Sequence, residues 1–493
     1  MSQPSIKNRD TLISHGDREG RALALDILEA GLVASDPYAN TRKLIRIEGD
    51  VLYVGGDPSK DVSGFGDEAI DLRQIEHIYV IGAGKASQRI ALALEDLLGD
   101  RLTGGAIVVK HGEEQTLRRL AVIESAHPVP DEQSVVGART LVEIAGQAGP
   151  NDLVFTVFSD GSSSLCCLPA PGLTLADLRQ VFLLAIKYGG QRVIHQVMPY
   201  MSAFKNGRIM RHVHPARSIN LILQVGLFPR WNGVLPENGS WVPSWPPPRP
   251  RIGEVVSFLR QQPWWNEFPV ALRDALESGV EPYEVPSLDA FRRVQASYWQ
   301  PIDLYQMVEG ARAKAEALGL QGVVLSAWLN AHSSAASNVL THIAWECAAY
   351  DRPFKPPVAL ITGGHLDVPV GDATGIGGRN QEFALLAGQS LGTTRLTTPP
   401  REGGPRIVVA ALDSDGTDGP GTQHHSLDCE GPACMAGGIV DGLTIQEAAA
   451  RGVDVAAELA NHNSTIALLD LDSAIYTGNT GMCLGDLRVL VVH

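Results

Sequence analysis

An α/β protein of two domains is what the sequence predicts: a Rossmann-like N-terminal domain built on a parallel sheet, then a smaller C-terminal α/β domain. Three observations carry this expectation. Short apolar runs, Asp152-Leu-Val-Phe-Thr-Val-Phe158, Pro357-Val-Ala-Leu-Ile-Thr362 and Arg406-Ile-Val-Val-Ala-Ala-Leu412, read as buried strands, and each ends in a polar or glycine-rich turn. The 493 residues exceed what a single core usually holds. Plentiful Ala, Gly, Leu and Val, with 6% aromatic residues, suit packed α/β layers. The expected domains are residues 1–300 and 301–493.

Charge narrows the partners. A formal net charge of −15 argues against nucleic acid or an anionic membrane as the main partner, although a local basic site can still hold a small anion. The six cysteines show neither zinc spacing nor CxxC, and adjacent Cys166 and Cys167 sit in an apolar run as small core residues. That usage fits a reducing cytoplasm. Residues 1–10 lack an apolar signal core, and no apolar run approaches the length of a membrane span. A cytoplasmic protein is expected.

Along the chain, residues 18–35 show the periodicity of an amphipathic helix through Ala22, Leu23, Leu25, Ile27, Leu28 and Leu32, and 43–54 read as a hairpin. Residues 75–86 give a strand, a turn at Gly82 and Gly84, and a helix from about Lys85. The GxGK pattern lacks the third glycine of a dinucleotide fingerprint. Lys85 either reaches a phosphate as a mobile charge or is a solvated first-turn lysine. The strand at 152–158 runs into Ser159-Asp-Gly-Ser-Ser-Ser164, rich in hydroxyls and backbone donors; the alternative is a serine-capped helix start. Asp160 suits a phosphate cradle only if it faces Mg²⁺. Residues 192–217 gather cations, among them His195, Lys205 and Arg208, which line an anion pocket or form a solvated face.

Five tryptophans crowd residues 228–266 together with Pro243, Pro246, Pro247, Pro248 and Pro250, which reads as a long ordered loop or lid rather than a regular helix or strand. In the last third, a strand at 357–362 leads to Thr374-Gly-Ile-Gly-Gly-Arg-Asn-Gln-Glu382 and then a helical pattern. Glycines, free amides and a helix start favour an anion there, and Arg379 adds a planar charged fork; the alternative is an ordinary glycine-rich loop. Asp413-Ser-Asp-Gly-Thr-Asp-Gly419 holds either a hard cation or only its own turns.

Taken together, several stretches resemble the class II glycerate kinases, ATP-dependent glycerate 2-kinases of two α/β domains. The matching pieces are Val80-Ile-Gly-Ala-Gly-Lys-Ala86, His127-Pro-Val-Pro-Asp-Glu132, Pro171-Gly-Leu-Thr-Leu-Ala-Asp177, Gly377-Gly-Arg-Asn-Gln-Glu-Phe-Ala384, Asp415-Gly-Thr-Asp-Gly419, Val440-Asp-Gly442 and Asp486-Leu-Arg488, in family order. The resemblance implies that Lys85 and Arg379 are the functional pair. It implies ATP with Mg²⁺ and a small hydroxy compound as phosphoryl acceptor; a homodimer is left open. On that reading Gly82, Gly84, Ser159, Gly161, Ser162, Ser163, Gly377, Gly378 and Asn380 bind the nucleotide. Asp160 and Asp415 are candidates for the metal. Asp418 is the candidate proton acceptor, and Lys205, Arg208 and His195 the candidates for the substrate.

The chain also departs from the family pattern. Ser159-Asp-Gly-Ser-Ser163 replaces a Ser-Gly-Gly-Gly-Ser loop, Met198-Pro-Tyr-Met-Ser202 replaces a basic Arg-Lys-His-Leu-Ser segment, and Thr362-Gly-Gly-His365 loses a glutamate. An altered acceptor site is therefore expected, suited to glycerate or to a less charged, aromatic or larger hydroxy compound. Two other classes stay open. One is an NAD(P)-dependent oxidoreductase of hydroxypyruvate-like acids, resting on Gly82 and Gly84. The other is a non-catalytic relative that acts as a binding protein.

Overall fold

Apolar runs buried on both faces build two separate six-stranded sheets in this computed structural model, which describes residues 6–188, 197–223, 242–244, 252–279, 296–392, 406–419 and 435–493. The chain divides into two compact units, Pro37–Ile302 and Met1–Asp36 with Asp303–His493.

The first unit opens with an antiparallel meander, β1 (Ile45–Glu48), β2 (Val51–Val54) and β3 (Glu68–Asp71). Its main sheet holds β4 (Ile78–Ala83), β5 (Gly104–Lys110), β6 (Ala121–Ser125), β7 (Leu153–Ser159), β8 (Arg217–Leu223) and β9 (Ala296–Trp299). All pairings are parallel, in the order β6-β5-β4-β7-β8-β9. Every residue of β7 is buried, as a central parallel strand requires. From β4 the chain moves outward to β5 and β6, then returns to β7 on β4's other side. The order thus reverses between β4 and β7, the point where open parallel sheets receive ligands.

The second unit orders β10 (Gln321–Leu329), β11 (Val358–Gly364), β12 (Ile407–Asp413), β13 (Gly437–Asp441), β14 (Ala474–Ile475) and β15 (Asp486–Val492) as β10-β11-β15-β12-β13-β14. Only β10 and β11 pair in parallel; C-terminal β15 runs antiparallel between β11 and β12. Its first residue, Asp486, lies opposite both Gly364 and Asp413, the last residues of its neighbours.

Two expectations are corrected. The Arg18–Ala34 helix, expected in the first domain, belongs to the second unit and packs on the Leu304–Ala317 helix, β12 and β15. A Cβ on Gly31 would lie 2.5 Å from Leu487 Cδ2, so glycine permits this close approach. Helical periodicity shows which face is apolar but not which sheet it covers. The tryptophan-rich segment is also not wholly a loop: Ile252–Arg260 is an α-helix, in the proline-free stretch between Pro250 and Pro263. Trp264 is a core residue, stacked on Tyr188 at 5.7 Å and Phe268 at 5.3 Å. Trp231, Trp241 and Trp245 lie outside the described residues. No described helix is long and apolar enough to cross a membrane.

Candidate active site

In the first unit the site forms where β4 and β7 end. The chain leaves β4 through Gly84 at φ +130°. A Cβ there would meet Ser159 Oγ at 2.2 Å and Ser159 O at 2.5 Å, so glycine lets the two turns touch. Gly82 does the same lower down, since its Cβ would sit 2.2 Å from Val157 O. Once docked, Lys85 N donates to Asp160 O at 3.1 Å and Ala86 N to Ser159 Oγ at 3.0 Å. The amides expected to cradle an anion before the Ser87–Leu98 helix are therefore already satisfied within the chain. Gly82 and Gly84 shape the turn, and the Lys85 side chain is what this turn offers to a ligand.

Gly161, at φ +88°, lies against that lysine: a Cβ on it would be 3.1 Å from Lys85 Cγ and 3.3 Å from His127 Cδ2. Lys85, His127, Asp160 and Ser163 are half-buried around this bare backbone, while Ser159 and Ser162 are buried. The Ser162 hydroxyl is buried without a hydrogen-bond partner. Its carbonyl accepts from the ammonium of fully buried Lys205. Arg208 is also turned inward: Nη1 donates to Ser202 O at 2.9 Å and Nη2 to Pro199 O at 2.7 Å. Lys205 and Arg208 thus brace the 199–205 segment and the serine loop from inside, where an anion pocket or a solvated face was expected. Met198, Tyr200 and Met201 join Trp264 and Phe268 in one apolar cluster, so packing accounts for the missing cations of that segment. His195 lies outside the described residues.

In the second unit Arg379 opens the Arg379–Gly392 helix. Its Nε donates to Asp486 Oδ1 at 2.8 Å, and Nη2 lies 2.6 Å from Asp413 Oδ2 and 2.7 Å from Asp486 Oδ1. Sheet register fixes both carboxylates, so the fork is held by the ends of β12 and β15. Asp486 also accepts from Leu366 N at 2.9 Å and Asn380 Nδ2 at 2.8 Å, and pairs with buried Arg488. Burial alone would lower the Arg379 pKa, but Asp486, Asp413 and Asp418 outweigh it and hold the charge firmly on. Burial likewise pushes Asp486 up, yet Arg379 and Arg488 bring it well below the usual carboxylate range.

Asp418 takes the place expected for a bound anion at this helix start. Its carboxylate accepts from Asn380 N at 3.0 Å, Gln381 N at 2.9 Å and Asn380 Nδ2 at 3.1 Å. The Arg379 guanidinium is 3.9 Å away. Burial raises the Asp418 pKa and Arg379 pulls it back, leaving it at about 6. Bare backbone makes the contact: a Cβ on Gly378 would be 2.0 Å from Asp418 O, and one on Gly419 1.9 Å from Gly377 O. Gly377, Gly378 and Asn380 thus bind the aspartate loop, in place of the nucleotide contacts expected of them.

Asp415 Oδ1 accepts from Thr417 N and Thr417 Oγ1, both at 2.7 Å, which is the internal turn that stood as the alternative to a cation site. The two expected metal ligands, Asp160 and Asp415, belong to different units. Among the described residues the one group of three ligands close enough to share an ion is Glu76, His77 and Asp152. It lies where β4 and β7 begin, at the edge away from the site. Sequence reasoning assigned no role to His127 or Asp486, although both stand in stretches that carry the family resemblance. Asp413 stood in the aspartate turn considered for a cation; the structure sets it against Arg379 instead.

Comparison with known proteins places the chain among described relatives. A family model described as a domain of unknown function, DUF4147, matches residues 23–224, and the MOFRL family model matches 358–486. The glycerate 2-kinase of Pyrococcus horikoshii is 28% identical, over 95% of this chain and 98% of its own. The D-glycerate 2-kinase of Thermotoga maritima is 28% identical, over 86% of this chain and 92% of its own. The crystal structure of glycerate kinase from Thermotoga maritima superposes with a TM-score of 0.70 at 25% identity, covering 97% of this chain and 100% of that one. The chain resembles the glycerate kinases over nearly its whole length. The resemblance is divergent, and an Agrobacterium vitis protein named as a hydroxypyruvate reductase is 29% identical over 84% of this chain and 98% of its own. Lys85, His127, the serine loop and Lys205 fall in the first matched segment; Arg379, Asp413, Asp418 and Asp486 fall in the second. The helices around Trp264 fall in neither matched segment.

Proposed function

We propose that this chain is an ATP-dependent kinase that transfers the γ-phosphoryl group to a hydroxyl of a small molecule, with glycerate the first acceptor to test. One observation carries the reading. Lys85 and Arg379, the pair the family resemblance singles out, each stand in a glycine-built turn at strand ends, and Arg379 is held there by Asp413 and Asp486. Phosphoryl transfer depends on positioning and on neutralising charge spread over the transferring oxygens. Lys85 supplies a mobile charge for that purpose. Arg379 supplies a fixed one whose donors are pre-aimed by two carboxylates.

ATP fits the first unit through the Ser159–Ser164 loop, where the buried Ser162 hydroxyl still has an unmet donor. Half-buried Asp160, at the end of β7, would hold Mg²⁺ there, and that ion would neutralise charge on the phosphates when bound. Asp415, with Oδ1 spent on Thr417, is the weaker candidate. Asp418 is spent on the helix start, and its role is to orient that turn beside Arg379 rather than to meet substrate.

The test is ADP release from ATP and Mg²⁺ with D-glycerate, other hydroxy acids, and aromatic alcohols as acceptors. Turnover on D-glycerate that falls at least ~10²-fold in Lys85→Ala and Arg379→Ala is the expected result. Turnover only on uncharged or aromatic acceptors would instead support an altered acceptor site. The oxidoreductase reading, favoured by the name of the Agrobacterium relative, predicts a thermal shift with NAD(P)H and none with ATP. Against it stands the turn before the Ser87–Leu98 helix, whose Lys85 and Ala86 amides are taken by Asp160 and Ser159.

A further inference from the structure

We propose that Lys205 is the buried positive charge under the Ser159–Ser164 loop, a positioning residue that takes up a proton as the loop receives a phosphate. The inference rests on the kinase reading for the identity of the ligand and on geometry for everything else.

Lys205 is fully buried, and its ammonium reaches the Ser162 carbonyl. Among the described residues no carboxylate pairs with it. The titratable groups that face it from the packed turn are Cys166 and Cys167, and burial pushes both thiols up to about 12, so they stay neutral. Asp131 acts on Cys167 rather than on the lysine, and Arg208, on Lys205's own segment, donates to the Lys205 carbonyl. Lys85 and His127 flank Gly161 on the open side of the loop. The apolar surroundings are Phe158 and Phe204, with the ammonium 5.4 Å from the Phe204 ring.

A lone buried ammonium is costly unless a counter-charge is near. Burial accordingly brings Lys205 down to about 8. The same residue that accepts from Lys205 carries the partnerless buried hydroxyl, Ser162 Oγ. An uncompensated amine and an unmet donor therefore converge on Ser162 from opposite ends. A ligand with negative charge and strong acceptor oxygens resolves both, and a phosphate group has both properties. Lys205 need not touch it: the charge acts through the Ser162 peptide. An anion at the loop raises the lysine pKa, so binding above about pH 8 draws one proton from solvent onto Nζ.

The test is titration calorimetry with ATP, and separately with tripolyphosphate, in pairs of buffers that differ in ionisation enthalpy. The series runs from about pH 7.5 upward, where the phosphates are already ionised. The expected result is proton uptake on binding and affinity that weakens several-fold as pH rises through the lysine's range. Lys205→Met should bind weakly at every pH, with no linked proton. Lys205→Arg keeps the charge throughout and should bind with a flat profile; it carries the test if the methionine variant does not fold. Wild-type protein that binds either ligand with no proton uptake overturns the proposal, as does a profile that survives in Lys205→Met. Proton-linked binding of tripolyphosphate without ATP binding would uphold the loop and sink the kinase reading, whereas binding of neither sinks both.

Discussion

At the scale of single residues, Asp418 ties the turn that bears Arg379 to pH. It is buried, it holds the amides of Asn380 and Gln381, and it titrates at about 6 against an ordinary 3.8. A raised acid pKa means the folded chain keeps the proton more tightly than the unfolded one. That contribution to stability is complete below about 4 and is lost as pH rises through about 6. The ionised form, present above about 6, is the one that orients the turn bearing Arg379. We therefore expect kcat/KM to fall as pH drops through about 6, and this limb to vanish in Asp418→Asn, whose activity should be lower and flat in the same range. An unchanged acid limb in that variant would assign the titration elsewhere. Asp486 works in the opposite sense, since its pKa is depressed: its stabilising pairs with Arg379 and Arg488 persist through this range and fail only in stronger acid.

At the scale of elements, the strands were legible because a strand buried on both faces must be apolar throughout, and β7, β11 and β12 are. Helix starts were legible where a local cap marks them, as with Asp303 and Gln306 before the Leu304–Ala317 helix. The Arg379 helix has its cap on Asp418, dozens of residues away in sequence, so its glycines looked like a cradle for an external anion. Local pattern announces a backbone that needs no side chain but not what will fill the space. That space is tight enough to predict a mutant. In Gly378→Ala the new methyl meets the Asp418 carbonyl at 2.0 Å, a backbone atom that cannot swing aside. We expect a loss of roughly 1–3 kcal/mol in chemical denaturation, with activity falling further than stability because Arg379 moves with the turn. Equal stability and activity to wild type would show that the two loops do not need this contact.

At the scale of the whole molecule, the chain's order hides its organisation: the N-terminal helix and the C-terminal strand serve the same sheet. Gly31 approaches Leu487, and His493 Nε2 lies 2.8 Å from Asp17 Oδ2. Arg21 is fully buried and pairs with Asp441, at the end of β13, at 2.6 Å. No local signal in residues 1–36 names that partner, which is why they were read with the sheet that follows them. The pair makes the assignment testable, because removing one member of a buried ion pair leaves the other uncompensated. Arg21→Ala should cost ~3–5 kcal/mol. Hydrogen exchange should locate the loss: amides of β12, β13 and β15 should exchange faster, while those of β4, β7 and β8 keep their protection. Faster exchange centred on β4 and β7 instead would mean that the helix stabilises the other sheet. Loss of protection across both sheets together would show that the two units unfold as one.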